Sequence, residues 1–102
     1  MEGFMYVTTS FLCPKGMPED IHERMKSTVK CGAKGGIMPD TSTSYLSTIF
    51  FNATQSSVDE ALALAVLSGC TVSKLSEKDI RDSKDSNISF AKQAYRILPP
   101  KQ

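Results

Sequence analysis

The chain has 102 residues, of which 40% are hydrophobic and 23% charged; this favours one folded domain over a disordered chain. Twelve basic and eleven acidic side chains leave a net charge of +1, which argues against a strongly basic nucleic-acid-binding domain. No apolar run is long enough to span a bilayer, and no basic stretch precedes the N-terminal apolar residues, so we expect neither a membrane span nor a secretion signal.

The three cysteines, Cys13, Cys31 and Cys70, are odd in number, and their spacing matches no zinc-binding pattern. Without a secretion signal, we expect reduced thiols in the cytosol or nucleus. A buried cysteine behaves as a small hydrophobic residue. The sequence therefore predicts no metal site and no cofactor.

The N-terminal part of the chain predicts a strand followed by a helix. Phe4–Ser10 is rich in aromatic and β-branched residues, which favour a strand, and a loop is expected over Cys13–Gly16. Pro18 suits the first turn of a helix that ends near Cys31. Apolar residues recur at four-residue steps within this helix and form one narrow stripe, Ile21, Met25 and Val29.

Two more strands are predicted in the middle of the chain. Gly35-Gly36 indicates a flexible corner, and Ile37-Met38 a short strand that stops at Pro39. Tyr45–Phe51 is the strongest strand signal. Because it is mostly apolar, we expect a central parallel strand that is buried on both faces.

The second half predicts one long helix and three shorter elements. Ser57 and Glu60 form a Ser-x-x-Glu capping pattern ahead of a helix that is apolar nearly all round, and Gly69 suits its C-terminal cap. We expect four residues of this helix to face the sheet: Val58, Leu62, Ala65 and Val66. A weak strand, a short helix capped by Ser76 and a final amphipathic segment that can pack back on the sheet complete the prediction, at Thr71–Leu75, Ser76–Ile80 and Phe90–Leu98.

The predicted order is β-α-β-β-α-β-α, which indicates an α/β fold with a small parallel sheet and helices on both faces. We place one domain at residues 2–98 and a loose C-terminal end at 99–102.

This layout resembles the BRCT domain, the carboxy-terminal repeat named after the breast-cancer susceptibility protein. The glycine pair Gly35-Gly36 and the strand TSYLSTIFF, with Tyr45 at the family's usual histidine position, occur in the family's order. The matching segments around them are EGFMYVTTSFL, VDEALALAVLSGC, Ser76–Ser83 and Phe90–Ile97, the last with Tyr95 at the family's tyrosine. Asp79 occupies the position of the family's tryptophan, so Ile80 is expected to anchor the last helix.

The resemblance implies a four-stranded parallel sheet with two helices on one face and one on the other. It also implies a non-catalytic protein–protein interaction module in the nucleus, in a protein of DNA repair, checkpoint signalling, or chromosome and telomere maintenance. Many members bind phosphoserine through a hydroxyl at the end of the first strand, here Thr9 followed by Ser10. The lysine expected near Ala61 is absent, so we expect only a weak remnant of that pocket.

Three other interpretations remain open. The apolar residues Leu64, Leu67 and Tyr95 are candidates for a surface that contacts a partner protein or a second copy of the chain. Lys26, Lys30 and Lys34 are candidates for weak contacts with DNA phosphates. A small enzyme that uses a cysteine or His22 is the third, although we expect His22 to be exposed on its helix and no small-molecule substrate to bind.

Overall fold

The computed structural model describes residues 5–41 and 45–101. Nine elements follow one another in this order: β1 (Tyr6–Pro14), α1 (Glu19–Thr28), β2 (Cys31–Thr41), β3 (Tyr45–Thr54), α2 (Gln55–Leu67), β4 (Thr71–Lys74), α3 (Glu77–Asp82), α4 (Ser86–Ser89) and β5 (Gln93–Leu98). The first seven follow the predicted order. No helix in the described part of the chain is long and apolar enough to cross a membrane.

The strands form one mixed sheet in the order β2-β3-β1-β5-β4. Of the four pairings among the described residues, only β1 with β5 is parallel. The expected four-stranded parallel sheet is therefore wrong, although the α/β class is confirmed. The physical reason lies in the connection between β2 and β3, because parallel neighbours need a crossover of about a dozen residues or more. β2 ends at Thr41 and β3 begins at Tyr45, a separation in sequence that is too short for such a crossover.

Helices cover both faces of the sheet. The larger core lies between the sheet and the α1–α2 pair, where Phe11 and Phe50 pack with their ring centroids 5.1 Å apart. A smaller core on the opposite face joins Ile80 of α3 and Ile88 of α4 to Ala94 of β5. The expected helices on both faces are thus present, with two short helices on the second face instead of one. Ile80 is buried and anchors α3, as expected.

The stripe of α1 is confirmed, since Ile21, Met25 and Val29 are all buried. The expected start of α2 is wrong, because the helix begins at Gln55 and places Ser57 inside its first turn. The Ser57 hydroxyl bonds to Thr54 there instead of capping the helix.

The C-terminal cap of α2 is confirmed at Gly69, which has a φ of 95°. Its amide donates to the carbonyl of Val66, and the next amide, of Cys70, donates to that of Ala65. This pair of bonds forms a Schellman motif, which needs a left-handed residue at the glycine position. Pro100 lies beside the glycine, so the expected loose end contacts the domain there.

The final segment forms a strand that the sequence did not predict. Phe90–Leu98, expected only as an amphipathic segment packed on the sheet, contains the strand β5. β5 lies between β1 and β4 and bonds to both, so two neighbours satisfy its backbone. These non-local bonds make the segment a strand, although its sequence carries no clear strand signal.

Three strands are longer than expected. β1 continues through Cys13-Pro14, where a loop was expected, and β2 continues through Pro39 to Thr41. A proline is tolerated in β2 because this strand lies at the edge of the sheet. β3 runs on to Thr54, and its centre is buried on both faces, as expected for a central strand.

Candidate functional site

A groove lies at the end of the sheet where β1 and β5 finish and β3 begins. It consists of two adjoining cavities of about 370 and 390 Å³ that share Leu12, Tyr45 and Arg96. We call this surface the β1–β5 groove. It is open because α3 and α4, with six and four residues, are too short to cover that whole face of the sheet.

Side chains on one face of β1 and β5 form the floor of the groove. Side chains alternate between faces along a strand, and paired residues share a face. Leu12 and Arg96 are paired and lie on the α3–α4 face, and Leu98 follows two residues after Arg96 on the same face. Pro14 and Tyr45 are paired across β1 and β3; Pro14 lines the second cavity, and Tyr45 lines both. Leu98 is 43% exposed, so the groove presents accessible apolar surface.

The opposite wall is acidic and comes from α3 and the segment that follows it. Asp79, Asp82 and Asp85 line the first cavity. Asp85 has a structural role, since its carboxylate accepts hydrogen bonds from the Ser47 hydroxyl at 2.7 Å and from the Asn87 amide at 2.9 Å. These bonds cap α4 and hold it against β3.

The two predicted phosphate-pocket residues do not converge on one site. Thr9 and Ser10 are both fully buried, and as neighbours in a strand they face opposite sides of the sheet. The Thr9 hydroxyl donates to the Val7 carbonyl at 2.9 Å and accepts from Gln93 Nε2 at 3.0 Å. The Ser10 hydroxyl donates to the Asn87 carbonyl. Both hydroxyls therefore serve the fold.

Tyr95 lies apart from Leu67 in the predicted apolar surface. Leu64 packs partly against the main core, whereas Leu67 is 88% exposed at the end of α2. Tyr95 lies under the start of that helix, where burial and then the nearby Asp59 carboxylate raise its pKa. Eight residues of helix, about 12 Å, separate Asp59 from Leu67. Leu67 and Tyr95 therefore do not share one contiguous patch, and the role of Leu64 and Leu67 as an interaction surface stays a prediction.

The predicted basic cluster is only partly available to DNA. The Lys26 ammonium lies 2.9 Å from the Glu23 carboxylate, which offsets its charge. Lys30 is exposed, and its backbone joins α2 by a 2.9 Å bond to the Ser57 hydroxyl. The side chain of Lys34 lies outside the described part of the structure.

Of the reactive side chains, Cys13, Cys70 and His22 are buried, which favours their neutral forms, and Cys31 is half-buried. His22, expected to be exposed, is buried on α1; desolvation and then the Lys26 charge lower its pKa. Burial, with a smaller contribution from Cys70, raises the pKa of the Cys13 thiol to about 12. Burial also raises the pKa of Cys70. A nucleophilic cysteine needs the opposite shift.

Within residues 5–41 and 45–101, no three His, Cys, Asp or Glu side chains lie together so that they could hold a metal ion. Comparison of the chain with models of protein families, with curated proteins and with solved structures gave no match.

Sequence reasoning did not identify the β1–β5 groove. Its residues come from four separate parts of the chain, and the pairings of β1 with β5 and with β3 bring the strand residues together. One signal was available: Asp79 and Asp82 are three residues apart on a short helix, a spacing that places both carboxylates on one side.

Proposed function

We propose that this chain is a non-catalytic protein–protein interaction domain that binds a partner segment in the β1–β5 groove. The observation that carries the proposal is the groove itself, an open apolar floor of Leu12, Pro14 and Leu98 beside a polar wall. An apolar centre with a polar rim is the usual make-up of a protein-binding surface.

The chemistry of the buried groups supports this choice over a small enzyme. Cys13 has its thiol held neutral by burial, and His22 is buried in α1 beside a lysine. His22 lines neither cavity of the groove, and Cys13, which is fully buried, lines only the second cavity. Thiol catalysis depends on an accessible thiolate, which the raised pKa of Cys13 opposes.

A nuclear setting, in DNA repair, checkpoint signalling, or chromosome and telomere maintenance, is part of the proposal on the strength of the sequence motifs. Three of the four observed strand pairings are antiparallel, which differs from the parallel sheet of the BRCT family. We therefore propose the interaction role without assigning the chain to that family.

A matched pair of leucine variants tests the groove. Leu98 lies in the groove, whereas Leu67 is exposed outside it. Tagged wild type, Leu98→Ser and Leu67→Ser are used to capture proteins from nuclear and from cytosolic extracts, with quantification by mass spectrometry. We expect wild type and Leu67→Ser to capture a common set of nuclear proteins, and Leu98→Ser to fail to capture them.

The strongest of these proteins is then purified and titrated directly against the same three chains. Direct binding that only Leu98→Ser abolishes, with its melting temperature close to that of wild type, supports the proposal. Binding that depends on Leu67 and not on Leu98 would place the interface at the end of α2 instead. Enrichment from cytosolic extract alone would overturn the nuclear setting.

A further inference from the structure

The charges along the β1–β5 groove are unbalanced. Three carboxylates line the acidic cavity, against the single guanidinium of Arg96. This local excess of negative charge contrasts with the net charge of +1 for the whole chain. Charges gathered in a cleft with apolar walls act more strongly on a ligand than the same charges spread over a surface.

The three carboxylates are not equally available. Asp82 lies 2.7 Å from the Lys78 ammonium and 3.9 Å from Arg81, so its charge is partly offset. Asp85 is engaged by Ser47 and by the start of α4. Asp79 forms no ion pair within residues 5–41 and 45–101. Asp79 is thus the carboxylate best able to receive a cation from outside.

The adjoining cavity has the opposite character. Cys13, Pro14 and Leu98 line it together with the shared residues Leu12 and Tyr45. An apolar side chain that fills this cavity is removed from water, and this stabilises the complex in proportion to the apolar area that is buried. Because the two cavities share three residues, an apolar and a charged side chain close together in one segment reach both.

Resting on the proposed function, we propose that the partner segment carries an apolar side chain with a lysine or arginine close to it in sequence. The apolar side chain occupies the cavity beside Leu98, and the basic side chain lies against Asp79. Charge complementarity selects this partner, because an acidic segment or a nucleic-acid phosphate would meet the same carboxylates with repulsion.

The test uses three acetylated and amidated glycine–serine peptides that differ only at the centre: Leu-Ser-Arg, Leu-Ser-Glu and Ser-Ser-Arg. Each is titrated into ¹⁵N-labelled protein. We expect Leu-Ser-Arg to shift the amide signals of groove residues most strongly, and added salt to weaken it, because exposed charge pairs are screened. Equal shifts with Leu-Ser-Glu, or none at the groove with any peptide, would overturn the charge assignment.

The variant Asp79→Asn tests whether the partner carries a basic side chain, independently of whether it binds in the groove. Its matched control is Asp20→Asn, an exposed carboxylate on α1 away from the groove. We expect Asp79→Asn to weaken the Leu-Ser-Arg peptide about threefold, as for an exposed ion pair, and the control to leave it unchanged.

The same variants are applied to the partner captured by the wild-type chain. If Leu98→Ser abolishes binding of that partner but Asp79→Asn does not change it, the proposed basic side chain in the partner is wrong. The proposed role in protein–protein interaction would still hold. Binding that Leu98→Ser leaves intact would instead overturn the proposed function. Self-association that is lost with Leu98→Ser would identify the occupant as a second copy of this chain and reject the basic partner.

Discussion

Buried polar side chains connect distant parts of the chain through specific hydrogen bonds. Gln93 donates to the Thr9 hydroxyl at 3.0 Å and to Gln55 Oε1 at 3.1 Å, and it accepts from the Tyr95 hydroxyl at 3.2 Å. Such a network links β1, β5 and the first turn of α2. The hydroxyl of Thr9, which the motif comparison suggested for a phosphate, is stabilising because it accepts one of the two hydrogen bonds that the buried Gln93 amide donates.

His22 gives the fold a dependence on pH. Its pKa lies below the ordinary 6.5 because burial and the Lys26 ammonium disfavour the imidazolium, while Glu23 opposes them weakly. Because the pKa of His22 is lower in the folded state, its contribution to stability is fully present above its unfolded-state pKa. That contribution is lost as the pH falls through its folded-state pKa. We therefore expect the free energy of unfolding to decrease when the pH is lowered from neutrality.

Urea unfolding at about pH 7.5 and about pH 5.5 measures this dependence, above the range in which most carboxylates titrate. His22 is the single histidine of the chain, so His22→Gln removes the imidazole entirely. A smaller decrease in the variant than in wild type is the expected result. An identical decrease in both proteins would show that His22 is equally solvated in the folded and unfolded states.

Helix α2 shows how an almost uniformly apolar element acquires two faces. Val58, Ala61 and Ala65 are buried, whereas Val66, which the apolar pattern placed toward the sheet, is 56% exposed. The small alanines suit the contact side because they let α1 and the sheet approach closely. Position around the helix decides burial here, since hydrophobicity is nearly the same on all sides.

Two valines of this helix offer a matched comparison. Val58 is 0% exposed, so Val58→Asp buries an unpaired charge and should cost about 3 kcal/mol or more. Val66→Asp places the same group in water and should cost less than about 1 kcal/mol. The helix dipole favours an aspartate at position 58, near the start of α2, over one at position 66. It therefore decreases the expected difference in stability between the two variants and cannot be its cause.

Circular dichroism during urea unfolding measures both variants. Equal loss of stability in the two would mean that α2 is rotated from its position in the structure.

The three-layer arrangement of the whole molecule decides which apolar surface is accessible. The α1–α2 layer covers one face of the sheet, and the short α3 and α4 leave the end of the other face open. Leu67, at the far end of α2, is isolated from Tyr95, and beside it only Val66 is a large exposed apolar side chain of this helix. Scattered apolar residues of this kind are normal on monomeric proteins.

Sedimentation tests whether the Leu67 surface supports a homodimer. We expect no association through this surface at roughly tens of micromolar, because the exposed Val66 and Leu67 together are well below the apolar area of a stable interface. Leu67→Glu should therefore leave the sedimentation coefficient unchanged. A dimer that dissociates in the Leu67→Glu variant would instead support the homodimer predicted from the apolar sequence of α2.

Local sequence signals predicted the elements whose stability is mainly local or periodic. The stripe of α1, the strand signal at Tyr45–Phe51, the Ser76 cap and the glycine cap at Gly69 were all correctly located. Each depends on residues close in sequence, so its physical cause is visible in a short window. The α/β class followed from the alternation of these elements.

Only the tertiary structure decided the strand directions, the identity of β5 and the groove. β5 is a strand because β1 and β4 bond to its two edges, and both partners are distant in sequence. The groove exists because this pairing brings Leu12 and Leu98 to one face, while helices of four and six residues leave that face uncovered. Non-local backbone bonds and the reach of the covering helices set these features, and no local pattern of residues encodes them.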